Sequence, residues 1–370
     1  MGILENFLGG GLEQKVKRLD RMIETGEYND AEEFLLELRV TVSRKHPPGS
    51  DLSIRLDLAE VNLRSKYQQF DRLESPARRA FVAAKCLNDK ELLRQAAEAM
   101  IECAVRGGRL NETVEMTEQW IAIGSSDFKQ RVDILITKGS ALNQLGRFND
   151  ALRAYEASIR LVDSMPETPD KHERFVTASS GMGDAYLGLD DRAQAINSWR
   201  QAMGATNAQY GPEHPQIASI LVCIGTVQLN ADEIEPACGS FSQALEVFRA
   251  AGHSESMGAA VALQKLTLAY LMKGDVPRAF TTAKSAQQAS AAHGPEMTNA
   301  AHELMRKVQD AQATPPSALA RLKLLKSAEE LQDDIPTMDR TMFPARAATA
   351  RPLNRPGRGI PNAKWAAMGR

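Results

Sequence analysis

An all-α fold, a solenoid of about seven helical hairpins, is what this sequence predicts, and three observations predict it. Small residues recur in step at intervals of 42 to 44 positions. Turn-forming residues fall between the paired segments. Prolines stand where the second helix of a pair would begin. Period-2 alternation, the mark of strands, is absent. The chain has 370 residues and 43% hydrophobic content, too long for one simple core. It suits a stack in which each unit packs only on its neighbours.

The elements follow in order. Residues 1–11 are expected to be a flexible leader. Gly2 has the position of a myristoylated glycine, but Asn6 stands where that pattern wants Ser or Thr. Leu19, Met22, Gly26, Glu27, Tyr28, Ala31, Leu35 and Leu38 mark a first hairpin. Leu52 to Leu87 gives a second, with Phe81 and Ala84 in its second helix. Ala96, Met100, Ala104, Gly108, Leu110 and Trp120 mark a third.

The best-defined copy runs from about Val132 to Asp163. Gly139 and Ala151 are small enough for two antiparallel helices to approach closely. Phe148 and Tyr155 fill the space this leaves, and Gly146 closes the first helix in the turn. The frame returns at Gly183, Ala185, Tyr186, Ala195, Trp199 and Ala202. It returns again at Gly225, Ala237, Phe241 and Ala244, and once more at Ala269, Gly274, Ala279, Ala283 and Ala286. Pro236 and Pro277 fall in the first turn of a second helix, where a missing N–H costs nothing. A closing helix over roughly 296–313 would cover the last apolar face.

These residues resemble the tetratricopeptide repeat family over about residues 12–313. Tyr210-Gly211-Pro212-Glu213-His214-Pro215 before a first helix is most similar to the extended repeats of kinesin light chains. Asp190 and Asp232 replace the turn glycine and Arg192 the turn aromatic, departures from the family pattern. The resemblance implies a right-handed superhelix whose first helices line a concave, protein-binding face. Carried onto this chain, that face includes Asn143, Asp184, Leu187, Val222, Leu229, Gln264, Leu268, Leu271 and Met272. None of twenty such positions is Lys or Arg, so a clamp for a chaperone's C-terminal carboxylate is not expected. Toward Met272 the face turns apolar and suits an apolar helix or peptide. The same leucines could equally pack on the closing helix or on the segment after it.

Thr314-Pro315-Pro316 breaks the array. Residues 314–335 read as a linker and a short amphipathic helix, Ser317 to Leu331, either a second cap or a partner-binding helix. The tail, 336–370, carries Arg340, Arg346, Arg351, Arg355, Arg358, Lys364 and Arg370 against the single acid Asp339. Its five prolines preclude a long helix, so it should be extended when free. Trp365 and other apolar residues spaced along it suit a strand laid over a partner. At about 1 kcal/mol per basic residue near an anionic surface, seven give roughly micromolar binding at most, a tether inside an assembly. An acidic protein surface such as that of tubulin is the partner this charge would fit; a solvated tail is the alternative.

Catalysis is not expected. His302-Glu303-Leu304-Met305-Arg306 begins like a zinc-protease helix, but Arg306 stands at the second ligand's place. Gly9-Gly10-Gly11 lacks the lysine of a phosphate loop, and Gly181-Met182-Gly183 sits at the repeat's own small positions. No metal, cofactor, small-molecule substrate or membrane span is expected, and no basic stripe recommends nucleic acid. The four cysteines, without a CxxC, read as buried thiols in a reducing compartment. The expectation is a non-catalytic adapter in a larger cytoplasmic assembly, in a cytoskeletal or ciliary axonemal setting. The alternative is a soluble cargo or signalling adapter that takes an apolar peptide in the groove.

Overall fold

The computed structural model describes residues 11–313. The leader up to Gly10, the amphipathic segment 317–331 and the basic tail, Arg340 through Trp365 included, lie outside the described residues. Fifteen α-helices make up the described part, with no strand among them. They fall into two compact units, the first ending at Asp163 and the second beginning at Ser164.

In the first unit, α1 (Leu12–Thr25) pairs with α2 (Tyr28–Lys45), and α3 (Asp51–Lys66) with α4 (Glu74–Leu87). Then α5 (Lys90–Arg106) pairs with α6 (Leu110–Ile123), and α7 (Phe128–Gln144) with α8 (Phe148–Asp163). In the second unit, α9 (Pro169–Gly188) pairs with α10 (Arg192–Tyr210) and α11 (Pro215–Asn230) with α12 (Ile234–Ala250). There α13 (Met257–Lys273) pairs with α14 (Val276–Ser290), and α15 (Pro295–Ala313) closes the stack. Seven hairpins and a closing helix are thus present, as expected.

The small positions do what their spacing implied. A Cβ added to Gly139 would lie 2.7 Å from the Tyr155 ring, and one on Gly225 would lie 2.8 Å from the Phe241 ring. Ala151, Ala195, Ala237 and Ala279 are each fully buried, one in every second helix from α8 to α14. In the last hairpin the sizes trade places. Ala283 takes the aromatic position, and Thr267 takes the glycine position and donates to the Thr282 hydroxyl at 3.0 Å. Close-packed interiors conserve volume across a contact rather than residue type.

Turns repeat as faithfully. Arg147 N–H reaches Leu142 O, Asp191 N–H reaches Tyr186 O, Glu233 N–H reaches Gln228 O and Asp275 N–H reaches Tyr270 O, all at 2.9 Å. This six-to-one bond requires a left-handed residue just before its donor. Gly146 and Gly274 supply it, and so do Asp190 and Asp232, each at φ 61°. The departures from the family pattern at 190 and 232 therefore change the residue and keep the turn.

Within each unit the first helices also touch one another, α1 on α3 and α3 on α5, then α11 on α13 and α13 on α15. In the second unit this inner row covers the first-helix residues of α11 and α13 that were expected to bind a partner.

Candidate interaction surfaces

Six of the nine residues expected on the concave face are buried. Asn143 in the first unit, and Val222, Leu229, Gln264, Leu268 and Leu271 in the second, are at most 7% exposed. In the second unit the cause is the inner row: α11, α13 and α15 pack in one stack, and Leu268, Leu271 and Val222 share one core with Leu304 and Val308 of the closing helix. The leucines at 268 and 271 thus pack in the core that includes the closing helix. Gln264 is held inside as well, its amide donating to Ser290 Oγ at 2.9 Å and to Met297 O at 3.1 Å. Its Oε1 is buried and accepts no hydrogen bond in the structure.

The other three stay accessible. Leu187 is 40% exposed, and Asp184 and Met272 are half-buried. Thr177, Ser219 and Thr226 are half-buried too, and Asn230 is exposed. Several of these hydroxyls turn inward to their own helices: Thr177 donates to Glu173 O at 2.8 Å and Thr226 to Val222 O at 2.8 Å. The surface left is neutral apart from Asp184, with Leu187 and Met272 as its apolar points. Burial, with the Asp184 carboxylate adding to it, pushes the Cys223 thiol far above its ordinary value. That cysteine is half-buried and packs against the cluster that includes Val176, Trp199 and Ile224.

A second surface was not legible in the sequence. In the first unit α6, α7 and α8 border an open groove of about 520 Å³ lined by Trp120, Ile121, Leu135, Ala157 and Leu161, with Ser125, Arg131 and Arg160 among its polar groups. Beneath it, Trp120 Nε1 donates to Glu98 Oε1 at 2.9 Å, which fixes the indole. Desolvation lifts the Glu98 carboxyl above its usual range, while the indole bond and Arg94 act in the opposite direction. The lining comes from three helices and a loop at spacings that no repeat frame links.

The first unit also carries a charged lattice that the sequence pattern missed. Asp57, 4% exposed, accepts from Arg39 Nη2 at 2.6 Å and Arg79 Nη2 at 2.8 Å, and Arg64 bridges to Glu32 at 2.6 Å. It ties α2, α3 and α4 together with these carboxylates each facing a guanidinium, a structural role. Among the described residues no group of His, Cys, Asp or Glu is placed to hold a metal, and no helix is long and apolar enough to cross a membrane.

No protein-family model matches the sequence, and no curated protein is significantly similar to it. Solved structures do match. The apo form of RapI superposes with a TM-score of 0.64 at 11% identity, over 86% of this chain and 85% of that one. The fold is tetratricopeptide-like. Aspartyl phosphate phosphatase F from Bacillus subtilis follows at TM-score 0.55 and 14% identity, over 88% of this chain and 87% of that one. The apo form of the quorum sensor NprR from B. thuringiensis gives 0.54 and 11%, over 90% and 94%. At such identities the likeness concerns the tetratricopeptide-like fold alone.

Proposed function

We propose that this tetratricopeptide-like chain is a non-catalytic adapter that binds other proteins through the exposed margin of its first helices. The observation that carries this reading is the partly accessible row Thr177, Asp184, Leu187, Ser219, Thr226, Asn230 and Met272 in the second unit, in which Asp184 is the single charged residue. It offers apolar contact and hydrogen-bonding groups along an extended line, which fits a peptide or helix, not a small molecule. Similarity to structures described as a quorum sensor and a phosphatase supports a regulatory setting without transferring either activity. The basic tail, Arg340, Arg346, Arg351, Arg355, Arg358, Lys364 and Trp365, remains in this proposal a tether to an acidic partner surface such as tubulin's.

The test is cross-linked affinity capture with full-length wild type, with Leu187→Glu/Met272→Glu, and with Arg346→Glu/Arg351→Glu/Arg355→Glu. The first-helix variant should lose one set of partners and the tail variant another. An unchanged partner profile in the Leu187→Glu/Met272→Glu protein would sink the first-helix assignment.

A further inference from the structure

The first helices of the second unit end in accessible apolar side chains. Leu187, one residue before the end of α9, is 40% exposed, and Leu189, just past that end, is 39% exposed. Met272, one residue before the end of α13, is half-buried. Between them lies α11, which packs on α13 and shares a cluster with α9 through Ile220, Ile224 and Val176. The helix that closes this row, α15, runs parallel to α13. His293 Nε2 donates to Glu255 O at 2.7 Å just before the two helices begin, and Gln264 Nε2 donates to Met297 O at 3.1 Å once both are under way. The chain therefore leaves α15, at Ala313, on the side where α13 ends with Met272.

We infer that the segment that follows, residues 317–331, folds back as a helix over this row of helix ends, with Leu319, Leu322 and Leu325 set against Met272 and the leucines of α9. Reach supports this occupant: Thr314-Pro315-Pro316 spans at most about 11 Å, so the segment starts near Met272. Length agrees. Packed helices lie about 8–10 Å apart, so the row from α13 to α9 measures about 16–20 Å, and a helix over 317–331 measures about 22 Å. Charge agrees too, because 317–328 carries Arg321, Lys323 and Lys326 with no acid, and the accessible row carries Asp184. The chain's other segments fit less well. The run 329–335 places Glu329, Glu330, Asp333 and Asp334 beside Leu331 and Ile335, and would set like charge against Asp184. The tail, 336–370, has the opposite charge, but its five prolines preclude a leucine-faced helix. The regulatory consequence rests on the first-helix proposal: a partner that takes this margin must displace the segment.

Amide hydrogen exchange of the full-length chain, read by mass spectrometry, tests the docking. Residues 317–331 should exchange at least about tenfold more slowly in wild type than in Leu322→Asp/Leu325→Asp or in Leu187→Glu/Met272→Glu. The last turns of α9 and α13 should lose protection in the segment variant. Ile121→Asp, in the groove of the first unit, should change none of this. Fast exchange of 317–331 in wild type, or equal protection in Leu187→Glu/Met272→Glu, would overturn the assignment. So would release of the segment by Ile121→Asp, which would seat it in the other groove, or protection that fades on dilution, which would seat it on a second copy. Affinity capture separates this docking from the proposal on which its consequence rests. Leu322→Asp/Leu325→Asp should recover more first-helix partners than wild type. Equal capture alongside the expected exchange pattern would count against the margin as a partner site and leave the docking in place.

Discussion

Gly183 lies directly beneath the indole of Trp199: a Cβ on the glycine would fall 2.3 Å from Nε1 and 2.4 Å from Cδ1. The same indole donates to Ser180 O at 3.2 Å, so it is pinned as well as packed. Two turns of α9 and the centre of α10 are locked through this one contact.

Gly183→Ala and Gly225→Ala should each destabilise the fold by about 1–3 kcal/mol, because an aromatic ring must leave its rotamer or the helices must part. Gly239, exposed in the middle of α12 with nothing within 4 Å of an added Cβ, is the matched control. Gly239→Ala should stabilise by about 0.5–1 kcal/mol from propensity alone. Urea denaturation of the three variants measures the contrast. Equal effects at 183, 225 and 239 would refute close approach as the reason for the repeating glycines.

Asp232 occupies the left-handed turn position at φ 61°, where Gly146 and Gly274 stand in other hairpins. Side chains are disfavoured in that region. Asp232→Gly should therefore raise stability by about 0.5–1 kcal/mol, and Asp232→Val should lower it by more. A thermal melt in which glycine and valine behave alike would contradict the turn geometry.

The thiols should separate by reactivity. Burial raises Cys103, Cys223 and Cys238, the last aided by the Glu235 charge, while Cys86 is exposed. Native protein treated with iodoacetamide near pH 8 should take one label rapidly, at Cys86, and the others only after unfolding. Peptide mapping that finds Cys223 alkylated as fast as Cys86 would show that its site is open.

His214 predicts a pH effect of definite sign. Its ring stacks on Tyr210 with centroids 4.7 Å apart, and its Nδ1 accepts the Gln216 N–H at 3.4 Å to cap α11. Burial depresses its pKa, so the folded state resists a proton that the unfolded state accepts near 6.5. Its contribution is complete above about pH 6.5 and is lost as pH falls through that value, levelling once the folded ring protonates too. His214→Asn keeps a capping acceptor and should flatten this part of the stability curve. Identical slopes for wild type and variant between about pH 5.5 and 7.5 would exclude the effect.

The hairpins were legible because their requirement is local. Gly139 with Tyr155 and Gly225 with Phe241 meet within one pair of helices sixteen residues apart, and such a distance leaves a period in the sequence. The interaction surfaces were only partly legible. Leu187 and Leu271 occupy the same place in the repeat frame, four residues after Gly183 and Thr267, yet one is 40% exposed and the other 7%. Nothing in either residue's neighbourhood announces that difference, since it depends on what lies across from it.

By itself, then, the sequence determined that the chain would be helical, where each hairpin would turn and which small residues would lie under which rings. Such contacts are set by neighbours on one hairpin, and the side-chain period records them. Only the tertiary structure decided that α15 would press α13 into the core and bury Leu268 and Leu271. It alone brought Trp120, Arg131 and Arg160 to a single groove and divided the described chain after Asp163. Those outcomes come from packing between hairpins, where the contacting residues share no fixed spacing and leave no pattern to read.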